Sequence, residues 1–296
     1  MTVRNIVFLA AAALSCLSSG AMAADWSKVG AALGKTGTEM AGGVYRVGLP
    51  RTDLNVTLDG IVLKPTLALG SWVAFLPMGE RVMVMGDLVL TEDEVGPVMK
   101  KLSETGIDIS ALHNHLFHAS PATFYMHIYG EGDGVALAKA VHDGLALSKT
   151  PFAAMPPPAA PPAIDLDTAA IGKALDATGN IAAGVYQVNI ARDAPVTDHG
   201  MALPLGMGAS EAINFQPLGG GKAAITGDFM LTAAEVNPVL QALRENGIEV
   251  TALHNHMLND EPRLFFMHFW AHDDLGKLLN GLQAALSHVA VKRASP

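Results

Sequence analysis

The sequence predicts an α+β fold in two homologous lobes, each a mainly antiparallel sheet with helices. Three observations predict it. Segments repeat at a constant offset, a proline-rich stretch separates the copies, and each copy alternates helical runs with short strand-like runs broken by Gly and Pro.

Gly43-Val44-Tyr45 recurs as Gly184-Val185-Tyr186, and Gly86-Asp87-x-x-Leu90-Thr91 as Gly227-Asp228-x-x-Leu231-Thr232. Ala111-Leu112-His113-Asn114-His115 recurs as Ala252-Leu253-His254-Asn255-His256, and Met126-His127 as Met267-His268. Every pair is 141 residues apart, apart from a compensated one-residue slip around Val56 and Val196. Between the copies, residues 151–163 read PFAAMPPPAAPPA, a composition that forbids helix and favours an extended spacer. The expected organisation is a signal peptide over 1–23, a first lobe over 24–150, a linker over 151–163 and a second lobe over 164–296.

Each lobe opens with a short helix, Trp26 to Leu33 or Leu166 to Leu175, before a strand ending near Arg46 or Gln187. In the first copy, strands Gly70 to Pro77 and Val82 to Met85 come next. Helix Pro97 to Glu104 follows, stopped by Gly106. Strands Ile109 to Leu116 and Thr123 to Tyr129 and helix Val135 to Leu147 complete a β-α-β-β-α unit.

The first residues read as a secretion signal. Arg4 precedes an apolar run from Ile6 to Leu17, too short to span a membrane, and Ala21-Met22-Ala23 is a small-x-small cleavage pattern. A periplasmic or secreted protein beginning near Ala24 is expected. Lipid anchoring at Cys16 fits less well, because Ala13 stands where a large aliphatic residue belongs. Cys16 is the only cysteine, so the mature chain offers neither disulfides nor thiolate ligands. Losing Arg4 moves the formal charge from -9 to -10. That acidity, with no basic run, argues against nucleic acid as a partner. No later apolar stretch approaches membrane-helix length.

Residues two apart in a strand share a face and lie roughly 6.5 Å apart. His113 and His115 therefore project together, as do His254 and His256. A hairpin register pairing 113 or 115 with 127 adds the third imidazole to that face. The triads His113/His115/His127 and His254/His256/His268 account for six of the eleven histidines. Three neutral imidazoles on a stiff hairpin can close on one ion at 2.0–2.1 Å. Zinc and copper are the first candidates among the metals that imidazole suits. One site per lobe is expected, with a metal ion or a small molecule as ligand. A metal-free catalytic or ligand-binding cluster and a purely hydrogen-bonded structural one are the alternatives. Met126 and Met267 lean toward copper but alternate to the opposite face. Asn114 and Asn255 also point away and suit bracing a neighbouring strand. The His-Asn-His string lacks the ββα finger and cationic surface of the nuclease it evokes.

Four carboxylates recur. Glu94 and Glu235 could ligate or act as a general base, but Thr91-x-x-Glu94 and Thr232-x-x-Glu235 are capping-box patterns that favour a helix start. Asp87 and Asp228 are the better catalytic candidates, since no local motif accounts for them. Tyr125, Tyr129, Phe266 and Trp270 share the face of the third histidine. Arg263 stands where the first copy has Ala122, which makes the second lobe the expected place for chemistry. There a metal-dependent hydrolase would use a water on an ion held by the three histidines.

The repeated GD-x-x-LT-x-x-EV-x-P-V, the ALHNH segment and the F-x-MH strand resemble the LppY/LpqO family of exported bacterial proteins and lipoproteins over essentially the whole mature chain. The resemblance implies export and brings no established activity.

Overall fold

The computed structural model describes residues 25–153 and 163–292. The expected signal segment with Cys16 and most of the proline-rich stretch lie outside the described residues. The first repeat contains β1 (Thr38–Met40), β2 (Val44–Pro50), β3 (Gly70–Met78), β4 (Arg81–Thr91), β5 (Asp108–His113) and β6 (Thr123–Gly132). Its longer helices are α1 (Trp26–Leu33), α2 (Glu92–Glu104) and α3 (Gly134–Leu145), and a single turn, Pro65–Ala68, precedes β3. The second repeat contains β7 (Asn180–Ala182), β8 (Val185–Ile190), β9 (Glu211–Gly219), β10 (Lys222–Thr232), β11 (Glu249–His254) and β12 (Leu264–Asp274). Its helices are α4 (Thr168–Leu175), α5 (Ala233–Glu245) and α6 (Leu275–Leu286). Each repeat forms one antiparallel six-stranded sheet, in the orders β1-β2-β3-β4-β6-β5 and β7-β8-β9-β10-β12-β11.

Helices cover one face of each sheet and the other lobe covers the opposite face. β4 is buried at every position from Val82 to Leu90 for this reason. Val82, Val84, Leu88 and Leu90 join the core under α1–α3, while Met83, Met85 and Val89 face the second lobe. The lobes exchange arms. Val56, Leu58, Leu63 and Leu67, from the loop before β3, pack against Val185, Ala224 and Trp270 of the second lobe. Val196, Leu203 and Met207, from the loop before β9, pack reciprocally against Val44, Ala74 and Met83. Hydrogen bonds run the same way: Thr226 Oγ1 and Asn214 Nδ2 donate to the Leu67 carbonyl at 2.8 and 3.0 Å, and Gln216 Nε2 donates to that of Val62 at 2.9 Å.

Helix α2 begins at Glu92, five residues before the expected Pro97, and α5 likewise starts at Ala233 with Pro238 inside it. The capping box outweighs the proline signal. The Thr91 amide donates to Glu94 Oε2 at 2.9 Å and the Thr232 amide to Glu235 Oε2 at 2.7 Å. A buried arginine anchors each glutamate: Arg51 to Glu94 at 2.7 Å, and Arg192 to Glu235 at 2.9 Å. Asp53 is the second partner of Arg51, whereas Glu211 takes that part beside Arg192. These arginines are themselves 141 apart, so the repeat offset held a signal for them. Glu94→Gln should lower stability by about 1–3 kcal/mol, because the fully buried Arg51 loses one of its two charge partners. Denaturant titration measures this, and bound metal should stay unchanged if Glu94 is only a helix anchor.

Candidate metal centre

The histidines sit on the sheet face that meets the other lobe. Across the first sheet, Cα pairing runs Gly48–Trp72–Asp87–His127–Ala111. Across the second it runs Asn189–Ala212–Asp228–His268–Ala252. Directly paired residues point to one side, so each aspartate stands beside the third histidine of its lobe. The expected register is corrected by one pair. His127 faces Ala111 and His113 faces Tyr125, which keeps the even parity and hence the shared face. β5 also ends at His113, so His115 belongs to the following loop.

That loop is held from the other lobe. Ser110 Oγ donates to the His256 carbonyl and Thr251 Oγ1 to that of His115, both at 2.5 Å. Asn114 Nδ2 donates to the Thr251 carbonyl at 3.1 Å, and Asn255 Nδ2 to that of Ser110 at 3.0 Å. The asparagines do brace a strand, and it belongs to the opposite repeat.

The two triads are not separate sites. Their rings interleave: His113 stacks on His254 with centroids 3.4 Å apart, His115 on His268 at 3.6 Å, and His127 on His256 at 3.8 Å. Tyr125 closes on His115 at 3.3 Å and Phe266 on His256 at 3.5 Å, so these aromatics wall the cluster. Two donor groups have ligand atoms within 4.8 Å of one another: His113/His254/His256/His268 and His113/His115/His127. His113 belongs to both.

Ring orientation fixes the chemistry. Nδ1 of His113, His254 and His268 lies 3.1, 2.9 and 3.1 Å from the carbonyls of Asn114, Asn255 and Gly227. A carbonyl only accepts, so those nitrogens carry the hydrogen and Nε2 holds the lone pair. In all six rings Nε2 is buried without a hydrogen-bond partner, as is Oδ1 of Asp87 and of Asp228. Asp87 Oδ2 lies 3.8 Å from His115 Nε2, and Asp228 Oδ2 lies 3.4 Å from His256 Nε2. Buried polar atoms left without partners make a deficit that a cation can satisfy.

Electrostatics agree. Burial lowers His113 to about 4. Burial, then the charge of His113, lowers His254 to about 3. Burial holds the other four histidines well below their ordinary value, with neighbouring imidazoles adding to it. Burial also pushes Asp87 up to about 7, against the opposing charge of Arg46, and Asp228 well above the carboxylate range.

A cleft of about 570 Å3 opens between the sheets onto Asp87, His115, His127, Asp228, His256 and His268. Glu94 and Glu235 are not among its lining residues; their carboxylates are engaged by Arg51 and Arg192. Arg263 does not line it either, which corrects the expectation that this arginine makes the second lobe the place for chemistry. Its guanidinium is tied to Asp260 at 2.9 Å and to the carbonyls of Met257 and Leu258. Met126 and Met267 are buried in the helix-side cores and offer no ligand to the cluster. The arginine that does line the cleft is Arg46, which sequence reasoning passed over because its counterpart is Gln187.

A family model described as "Domain of Unknown Function (DUF1259)" matches residues 27–147 and again residues 169–288. No curated protein matches the chain. Among solved structures, a trimeric bacterial microcompartment shell protein, PduB, is similar at 13% identity and a TM-score of 0.23, covering 88% of this chain and 97% of that one. EtuB from Clostridium kluyveri is similar at 11% identity and a TM-score of 0.21, covering 86% and 89%. Scores this low carry no argument about fold or function.

Proposed function

The chain belongs to the family described as Domain of Unknown Function (DUF1259), and we propose that its two repeats together build one transition-metal centre. The observation that carries this reading is the convergence of six partnerless imidazole Nε2 atoms with two aspartates on a shared interior face. Nitrogen and oxygen donors without thiolate suit zinc or copper. A tetrahedral ion at 2.0–2.1 Å sets its donors about 3.4 Å apart, so the donor groups would draw in slightly on binding.

A second reading follows from Asp87, Asp228 and the cleft beside them. An ion held by three histidines keeps a position for water, and a neighbouring carboxylate can take that water's proton. On this reading the protein is a metal-dependent hydrolase with Asp87 or Asp228 as base. Among the described residues no helix is long and apolar enough to cross a membrane. The signal pattern over residues 1–23 supports a periplasmic or secreted location.

Elemental analysis of untagged protein purified from its native compartment should give stoichiometric zinc or copper. Mass spectrometry of the same material should find a mature chain beginning near Ala24. Chelator treatment should lower the melting temperature, since an ion present at 1,000 times its Kd contributes about 4 kcal/mol. Protein without stoichiometric metal, whose melting temperature no added ion shifts, would overturn the reading.

A further inference from the structure

The repeats preserve histidines and aspartates in both halves, yet the walls of the cleft differ. In the first lobe Arg46 lies over the Trp72 ring, 3.8 Å from its centroid. The equivalent positions of the second lobe are Gln187, by the 141 offset, and Ala212, by its place in the Cα row beside Asp228. Asn189 also lines the cleft, and its equivalent is Gly48. One wall is therefore cationic and aromatic, the other small and neutral.

Arg46 is held for recognition. Its Nη1 donates to the Gly206 carbonyl at 2.5 Å, and the indole supports one face of the guanidinium. Among the described residues no carboxylate lies within ion-pair distance of it, so its Nε and Nη2 donors remain free. Trp72 and Asp87 are direct cross-strand neighbours, about 4.8 Å apart by strand spacing. The guanidinium thus sits roughly one strand away from the metal-facing carboxylate. Asn189 Oδ1 accepts from Ser210 Oγ at 3.0 Å, which leaves the Nδ2 of this exposed side chain as a further donor. The cleft volume lies within the roughly 300–1,000 Å3 of small-molecule sites.

We propose that the cleft binds a small organic acid. Its carboxylate docks on the free edge of Arg46, and a second polar group reaches toward Asp87 and the histidines. A planar guanidinium with two parallel donors matches a carboxylate in a bidentate pair. The proposal rests on the metal-centre reading only for the far end of the ligand; the Arg46 end stands without it.

The test is calorimetric titration of zinc-loaded and chelator-treated full-length protein with acetate, malate and citrate, and with inorganic phosphate as the competing oxyanion. At least one carboxylate should bind in preference to phosphate. Arg46→Gln, which copies the second lobe, should weaken that binding tenfold or more with zinc content unchanged, and Arg46→Lys should restore little of it. Asn189→Asp changes an exposed side chain, so its fold is secure, and it should weaken carboxylate binding by like-charge repulsion. Carboxylate binding that Arg46→Gln and Asn189→Asp leave intact, no binding by a zinc-loaded protein, or tighter binding of phosphate overturns the proposal. Binding that depends on Arg46 in a protein taking up no zinc sustains it and removes the metal-centre reading alone.

Discussion

His113→Ala should weaken zinc binding by about 100-fold or more, and by more than His115→Ala does. Removing a residue that merely orients a metal ligand already costs about 10–100-fold, and His113 is a donor in both groups of the centre. His115 belongs only to the three-histidine group, so its loss leaves His113, His254, His256 and His268 intact. Competition with a chelating dye, followed by elemental analysis after dialysis, separates the two variants. Equal losses in both, or a His113 variant that keeps full affinity, would rule out a centre shared between the lobes. Independent lobes would instead show His113→Ala and His254→Ala each removing one ion without affecting the other.

Metal-free protein should lose stability steeply below pH 6.5. Six histidines are lowered in the fold, so below that pH the unfolded chain takes protons that the folded one refuses. Asp87 and Asp228 act in the opposite sense. Their raised values make the folded state hold protons from about pH 4 upward that the unfolded chain has released. Their stabilising share is complete at low pH and falls away as pH rises, for Asp87 through about 7 and for Asp228 well above the ordinary carboxylate range. Six groups against two leave a net difference of up to four protons between pH 4 and 6.5. At about 1.4 kcal/mol per proton and pH unit, stability falls by up to about 5 kcal/mol per unit. Against a typical total of about 5–15 kcal/mol, unfolding should occur between about pH 5.5 and 4 for totals up to about 12 kcal/mol. Circular dichroism across that range measures it, and a flat stability from pH 7 to pH 5 would contradict the buried neutral cluster. Saturating zinc should move the transition to lower pH, because each proton then competes with the ion for Nε2.

Much of this centre could be read from residue order, and what escaped did so for definable reasons. The 141-residue offset exposes the duplication, and the two-residue spacing places His113 beside His115 because side-chain alternation is local. Asp87 and Asp228 stand out for lack of a capping role, and the pairing that sets them beside His127 and His268 accounts for it. The Thr91–Glu94 box marks the start of α2 better than Pro97 does, since Arg51 fixes Glu94 from outside the helix. What residue order withheld is the joining of the triads. His113 against His254 is a contact between residues 141 apart, set by how two whole sheets meet. Continuous burial of β4 hints at a second covering layer without saying that the layer is the other repeat. Arg46 is invisible to a search for repeats, because its importance lies in not being repeated.

The exchanged arms make the molecule the covalent counterpart of a two-fold homodimer. In a true homodimer every substitution appears on both sides of the axis, so the two halves of an axial pocket stay identical. Fusion of the copies lifts that constraint. Arg46 and Trp72 could arise on one side while Gln187 and Ala212 persist on the other, and the paired histidines and aspartates stay matched. The shared interior thereby gains direction: a ligand entering along the axis meets a head and a tail, where identical subunits would present two equal ends.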